Sequence, residues 1–315
     1  MTDVLERPAR TDGGGRRRAS LGRVSFSLAP KPANAPQRPD EALSLLSSAT
    51  AMIALVCGWF LLQLLFFGGI SADRAQALLY DHYRGQLADA TAPVGPVVPP
   101  GDPVALLRVK SLGLEQVVVE GTASGDLLDG PGHRRDTVLP GQIGTSVVYG
   151  RAHTYGGPFA RIATLRPGSE IVVQNAQGKV TYVVDDVRRA GDPVPAAPSA
   201  TQGRLVLATG DASGVLDSLR ANQVVYVDAT ATKAYDAPGG LPTAVPSSET
   251  ALASDPSAWP VLVLCLALLV GLTWVVSTAR QRWSAVLVWT VAAPVAICLA
   301  WFTTDVVVRL LPNLL

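Results

Sequence analysis

The polar middle of this sequence has no cysteine. The 315-residue chain has three cysteines and three histidines. Every cysteine lies in a long uncharged hydrophobic run, so the middle of the chain can form no disulfide and must be stabilised by packing alone. The histidines are scattered and show no HxxxH or CxxC spacing, which argues against a zinc site. The residues concerned are Cys57, Cys265 and Cys298, and His82, His133 and His153.

The sequence also lacks a basic face and a phosphate-binding loop. Residues 73–258 carry 19 acidic and 15 basic side chains, a net charge of −4, which excludes a platform for nucleic acid. The glycine run at residues 13–15 lies in the N-terminal tail, outside any strand–helix context. We expect no cofactor and no metal. The acidic pairs that calcium would need have a simpler interpretation as solvated strand ends: Asp126 with Asp129, and Asp185 with Asp186.

Long hydrophobic runs, by contrast, are plentiful. The three runs cover residues 42–70, 259–277 and 283–304, and each reaches the roughly 20 apolar residues that a membrane-spanning helix needs. The first run is much longer than the apolar region of a cleaved signal peptide, so it reads as a retained signal anchor. The sequence therefore predicts three transmembrane helices.

Basic residues predict the orientation of these helices. The first forty residues hold eight Lys or Arg, and the turn between the second and third runs holds Arg280 and Arg282. Both segments should face the cytoplasm, because positive charge accumulates on that side. The middle of the chain is then extracytoplasmic, on a multi-pass protein of the cell membrane.

The polar segments divide into recognisable parts. Residues 1–41 have the composition of a disordered basic tail, residues 71–103 of a stalk helix and linker, and residues 233–257 of a Pro/Ser linker. Residues 305–315 read as a short tail. Between residues 104 and 232, short β-branched runs alternate with Gly/Pro turns, a pattern typical of an all-β barrel or sandwich.

Six motifs in this β region occur in a familiar order and spacing. They comprise residues 117–122, 130–133, 139–142, 149–159, 165–173 and 204–209. The stretch from residue 104 to residue 229 thereby resembles the extracytoplasmic domain of sortases, in particular the actinobacterial class E type. The resemblance implies a closed eight-stranded β-barrel and an ancestry among membrane-anchored cysteine transpeptidases, which cut a sorting signal and join it to a cell-wall amine.

The chain departs from the sortase pattern at each catalytic position. Where the family has a histidine after a strand-ending glycine, this chain has Arg151, which cannot pass a proton back and forth. At the cysteine position it has Gly210, which offers no nucleophile. The family arginine corresponds to Arg220 or, if the preceding loop is longer, to Gln223.

Some polar residues near these positions are candidates for a rearranged site. His153 lies two residues after Arg151 and would share its face in an extended strand. Its partners would be Thr209, Asp211 or Ser213, although Asp211 and Ser213 also have the composition of an ordinary turn. The resemblance further implies a peptide groove lined by Tyr149, Tyr155, Phe159 and Thr209.

Three functions are compatible with the sequence. The leading hypothesis is a non-catalytic, pseudo-sortase domain that binds an extended peptide or cell-wall component, or scaffolds a membrane complex. The second is an active transpeptidase or hydrolase with a cysteine-free site built on His153. The third is a structural membrane subunit, since a simple anchor needs one span and the second and third spans suggest a membrane-protein partner.

Overall fold

The computed structural model describes residues 41–211 and 223–315, and its central part is a closed β-barrel. The barrel order is β1-β2-β3-β4-β7-β8-β6-β5, with β4 parallel to β7. The predicted closed eight-stranded barrel is confirmed. Its strands are β1 (Pro103–Val109), β2 (Leu114–Glu120), β3 (Gly132–His133), β4 (Gly144–Tyr149), β5 (Glu170–Asn175), β6 (Gly178–Arg189), β7 (Gly203–Gly210) and β8 (Val224–Ala231).

Alternating apolar side chains fill the interior of the barrel. In β6 every second residue from Val180 to Val184 is buried, and the residues between them face solvent. This two-residue period is expected of a strand with one face in the core and one exposed to water. Phe159 and Ile162, from the loop after β4, close the interior and are fully buried. Gly150 allows this closure, because a β-carbon there would lie 2.4 Å from the ring of Phe159.

Four long helices flank the barrel in the sequence. They are α1 (Glu41–Leu62), continued through a π-helical segment (Gln63–Phe67) into α2 (Gly68–Ala88), and α3 (Trp259–Arg282) and α4 (Ala285–Arg309). Two helices, Pro256–Arg282 and Ala285–Arg309, are long and apolar enough to cross a membrane. The first run contributes a shorter apolar helix, Leu46–Leu62, because the π-helical segment interrupts the α-helix before the run ends.

The first helix nevertheless packs against the other two. Met52 of α1, Val276 of α3 and Ala292 of α4 belong to one buried apolar cluster. At one end of this bundle, the Arg280 guanidinium donates a 2.7 Å hydrogen bond to Ser48 Oγ. The outward faces of the three helices remain strongly apolar, with side chains such as Ile53 and Val270 more than 60% exposed.

Helix α2 is bound directly to the barrel wall. The amide of Gln76 pairs with both backbone groups of Val117 in β2, accepting from its nitrogen at 2.7 Å and donating to its oxygen at 3.1 Å. Tyr83 is 1% exposed and donates to the carbonyl of Val104 at 3.0 Å. The stalk helix is thus packed along the barrel.

The end of the chain corrects the expectation of a short tail at residues 305–315. Residues 305–309 complete α4, and residues 310–315, the tail segment, turn back onto the barrel. Asn313, Leu314 and Leu315 are at most 1% exposed. The sequence pattern does not predict this burial, because the contacts of residues 310–315 are with parts of the chain far away in sequence.

Candidate peptide site at the end of the barrel

The site lies where the parallel strands β4 and β7 end side by side. Tyr149 is in register with Ala208, and the Gly150 N–H donates to the Ala208 carbonyl at 3.0 Å. Thr209 adds a further bond between the two strand ends, since its hydroxyl donates to the Gly150 carbonyl at 2.9 Å. This pairing brings the two sequence-predicted positions, Arg151 and Gly210, to the same end of the barrel.

Arg151 is fully buried and is held by neutral acceptors. Its guanidinium donates to the Leu127 carbonyl at 3.1 Å, to the Thr154 hydroxyl at 3.0 Å, and to the carbonyl and hydroxyl of Ser124 at 2.7 and 2.9 Å. Burial lowers the pKa of Arg151 to about 10, so the group stays positively charged at neutral pH. A guanidinium that stays charged stabilises the surrounding loops through its hydrogen bonds and cannot act as a proton shuttle.

The backbone of the tail segment fills the space between these two strand ends. The Leu314 carbonyl accepts two N–H groups, from Ala152 at 3.1 Å and from Gly210 at 3.3 Å. A β-carbon at Gly210 would lie 3.0 Å from that carbonyl oxygen and 3.7 Å from its carbon. The side chain of Leu314 enters an apolar pocket formed by Leu127, Tyr149, Ala208 and Val224.

The residues on either side of Leu314 are also tied down. The side-chain amide of Asn313 donates to the carbonyls of Thr122 at 2.8 Å and Thr250 at 2.9 Å. The carbonyl of Leu315 accepts the hydroxyl of Thr154 at 2.6 Å. Three consecutive residues of the tail segment are therefore recognised through both their main chain and their side chains.

The remaining candidates for a rearranged site make the following contacts. Asp211 pairs with Arg189, with its Oδ2 2.8 Å from Nε, and its N–H donates to the Gln223 carbonyl at 2.9 Å. His153 is half-buried, and this burial lowers its pKa. Ser213 and Arg220 lie outside the described residues. The exposed Gln223 comes immediately before β8.

The residues expected to line a peptide groove have different surroundings. Tyr149 borders the Leu314 pocket, but Phe159 is in the barrel interior and Thr209 is bonded to the backbone. The Tyr155 hydroxyl donates to Asp305 Oδ1 on α4 at 2.8 Å, and burial raises the pKa of this phenol. Phe159 and Tyr155 thus pack within the protein, because an apolar ring is more stable in the core or at a helix contact than in a wet groove.

An open groove does exist, on the outer face of β4, β7 and β8. It encloses about 500 Å³ and is walled on one side by the loop between β6 and β7. Apart from Tyr149, the residues that line this groove were not predicted, although their outward positions follow from strand alternation. Its polar and aromatic lining consists of Arg134, Thr145, Tyr149, Arg188, Arg204, Tyr226 and Asp228.

Comparison with known proteins agrees with the barrel topology. Residues 107–230 match the family model of the Sortase domain. The barrel is a sortase domain. Among solved structures, a sortase D5 transpeptidase of Clostridium perfringens aligns with a TM-score of 0.42 at 17% identity, covering 50% of this chain and 98% of its own. No curated protein matches the chain.

Two further sortase structures have similar coverage. Sortase E1 of Streptomyces coelicolor, solved with a tripeptide in its active site, gives a TM-score of 0.35 at 20% identity, covering 43% of this chain and 91% of its own. The SrtA sortase of Actinomyces oris gives 0.37 at 27% identity, covering 47% and 90%.

The acidic residues considered for calcium make local contacts in this sortase domain. Asp126 accepts the N–H of Ala123 at 3.2 Å, Asp185 accepts the Thr230 hydroxyl at 3.0 Å, and Asp186 accepts the N–H of Val187 at 2.8 Å. Across residues 41–211 and 223–315, no group of three His, Cys, Asp or Glu side chains is arranged to hold a metal ion.

Asp126 predicts a pH dependence of stability in the sortase domain. Burial, with a smaller contribution from nearby Glu249, raises the pKa of Asp126 to about 6. The unfolded chain has a carboxyl pKa of about 3.9, so the folded state binds the proton more tightly. As pH rises from about 4 to about 6, the free energy of unfolding should therefore fall by about 1–2 kcal/mol after solvent screening. Asp126→Asn should remove this loss.

The measurement is pulse proteolysis of the full chain in urea at pH 4 and pH 7. The exposed Asp186→Asn is the matched control and should keep the wild-type pH slope. An unchanged slope in Asp126→Asn would show that this carboxyl does not carry the effect.

Proposed function

We propose that this chain is a membrane-anchored, non-catalytic sortase-like protein whose barrel binds an extended peptide or cell-wall component. The observation that carries the proposal is the end of β7. Gly210, to which the family resemblance assigns the nucleophile position, ends this strand, and the Leu314 backbone lies against it. A site that has no nucleophile, and in which main chain lies against the expected nucleophile position, is suited to binding a peptide without cutting it.

The chemistry of transpeptidation argues for the same conclusion. A thiolate nucleophile must be within bonding distance of the substrate carbonyl. The three cysteines of this chain lie in α1, α3 and α4, within the apolar helices. The proton donor is also missing, since the buried Arg151 stays charged.

The open groove supports a peptide ligand. It runs along the same strands that reach the site, and it combines arginine side chains with the rings of Tyr149 and Tyr226. The Arg188 guanidinium stacks on the Tyr226 ring at 4.3 Å and pairs with Asp228. Such a surface offers aromatic faces for side chains and donors for main-chain carbonyls.

We further propose that three helices span the membrane with the barrel extracytoplasmic. The helix formed by α1, the π-helical segment and α2 is continuous, and its first part packs on α3 and α4. The basic turn with Arg280 and Arg282 would then face the cytoplasm, as would the basic residues before residue 41. The exposed apolar faces of α3 and α4 would contact lipid or a membrane-protein partner.

The test is peptide turnover by the full chain in detergent. Wild type and His153→Ala would be incubated with sorting-signal-like peptides and an amine acceptor, and products would be identified by mass spectrometry. We expect no cleaved or ligated product from either protein, together with saturable retention of a subset of peptides.

A product made by wild type and lost in His153→Ala would contradict the proposal and establish a thiol-free enzyme. Absence of both product and retention would instead favour a structural membrane subunit. Tyr226→Ala is the matched variant for retention, because it removes a ring that lines the groove and leaves Arg151 and Gly210 unchanged.

A further inference from the structure

We propose that the strand-end site is a peptide-binding site whose ligand is the chain's own tail segment, residues 310–315. The ligand class is a short peptide with an asparagine followed by an aliphatic residue, bound in a turn in which the Leu315 N–H donates to the Pro312 carbonyl at 3.3 Å. The proposal deepens the proposed function and rests on it in one respect, namely that a peptide from outside competes for the same site.

The main-chain contacts are those of a bound peptide. Two N–H groups from separate strand ends, Ala152 and Gly210, converge on the single carbonyl of Leu314. Ala152 and Gly210 lie outside any helix, and α4 ends at Arg309, before Leu314. The two hydrogen bonds are therefore not helix caps. Convergent donors from a rigid strand pair position a carbonyl firmly.

The side-chain contacts select the residue types. Leu314 is completely buried in a pocket of four apolar residues, and Asn313 is also completely buried between two backbone carbonyls. An asparagine amide can donate twice, and both of its donors are used here. A side chain without those donors would leave two buried carbonyls unsatisfied, which is unfavourable.

Arg151 acts as a positioning residue for this ligand. Its guanidinium binds the hydroxyls of Ser124 and Thr154, which in turn hold the tail segment and the last turn of α4. Ser124 donates to the carbonyls of Val308 at 3.0 Å and Leu311 at 3.2 Å, and Thr154 donates to that of Leu315. The residue at the family histidine position thereby supports the self-bound state.

Glycine at position 210 suits the same arrangement. A β-carbon there would be 3.0 Å from the Leu314 oxygen, tighter than nine in ten real contacts of this kind, so a side chain would require that carbonyl to shift by a few tenths of an ångström. Loss of the nucleophile and occupation by the tail segment therefore fit together. An outside peptide would reach the strand ends only after the tail segment has left.

A disulfide tests the occupancy. In the full chain with Cys57→Ser, Cys265→Ser and Cys298→Ser, the pair Gly210→Cys and Leu314→Cys should cross-link under mild oxidation. The β-carbon positions are 3.9 Å apart, within the range of about 3.5–4.5 Å for disulfides. Each single variant is the control and should give no internal cross-link. Absence of the disulfide in the double variant would overturn the proposal.

Binding in trans tests the ligand class. A labelled hexapeptide with the sequence Leu-Leu-Pro-Asn-Leu-Leu should bind full-chain Leu314→Asp at least tenfold more tightly than wild type, because the aspartate expels the tail segment. Asn313→Ala is the second, milder variant, and Val97→Asp, at an exposed site, should behave like wild type. Equal binding to wild type and both tail variants would overturn the proposal. Failure of the non-catalytic function would instead appear as cleaved peptide, so the two failures are distinguishable.

Discussion

Arg151→Met should lower the free energy of unfolding by about 2–4 kcal/mol. The substitution keeps much of the apolar volume but leaves the buried carbonyls of Ser124 and Leu127 without donors. Each unsatisfied buried group costs about 1–3 kcal/mol, and relief from burying the charge offsets part of the sum. Pulse proteolysis of the full chain in urea measures the change.

The matched control for this substitution is Arg166→Met, at an exposed position. Its effect should stay within about 0.5 kcal/mol. Arg151→Met should also speed hydrogen exchange of the Ala152 amide, which a purely global loss of stability would not single out. A change below 0.5 kcal/mol, with unchanged exchange, would show that the buried guanidinium does not hold the site.

Phe159→Ala should destabilise the barrel by about 3–5 kcal/mol, the usual cost of emptying a buried aromatic site. The ring is completely buried in the main core and lies directly beneath Gly150. Urea unfolding of the full chain, followed by proteolysis, gives the value. Tyr226→Ala is the aromatic control, since its half-buried ring lines the groove.

Comparison of the two aromatic variants distinguishes a residue of the core from a residue of the peptide groove. Tyr226→Ala should cost less stability than Phe159→Ala while weakening peptide retention. A large loss of retention without loss of stability in Phe159→Ala would return this residue to the groove, where the family resemblance first suggested it.

Much of the barrel was predictable because strand alternation is a local signal. The long strand β6 shows it clearly, whereas β3, Gly132–His133, is too short to produce a pattern. The proposed catalytic departures at Arg151 and Gly210 rest on residue type at positions that the family resemblance assigns, and they stay a prediction.

The occupant of the site was not predictable. Leu314 is recognised through its carbonyl oxygen, which every residue has, and through a pocket assembled from β4, β7, β8 and the Leu127 turn. Long-range assembly of this kind leaves no mark on local sequence. The π-helical segment Gln63–Phe67, which shortens the first apolar helix, was not predicted either.

The most direct test of this account is the reactivity of a thiol placed where the sortase nucleophile would be. Gly210→Cys would be made in the full chain with the native cysteines replaced by serine, and its alkylation rate compared with that of the same variant carrying Leu314→Asp. We predict alkylation at least tenfold slower when Leu314 is present, and no peptide cleavage by Gly210→Cys. Rapid alkylation in the presence of Leu314, or cleavage of sorting-signal-like peptides, would contradict a closed and non-catalytic site.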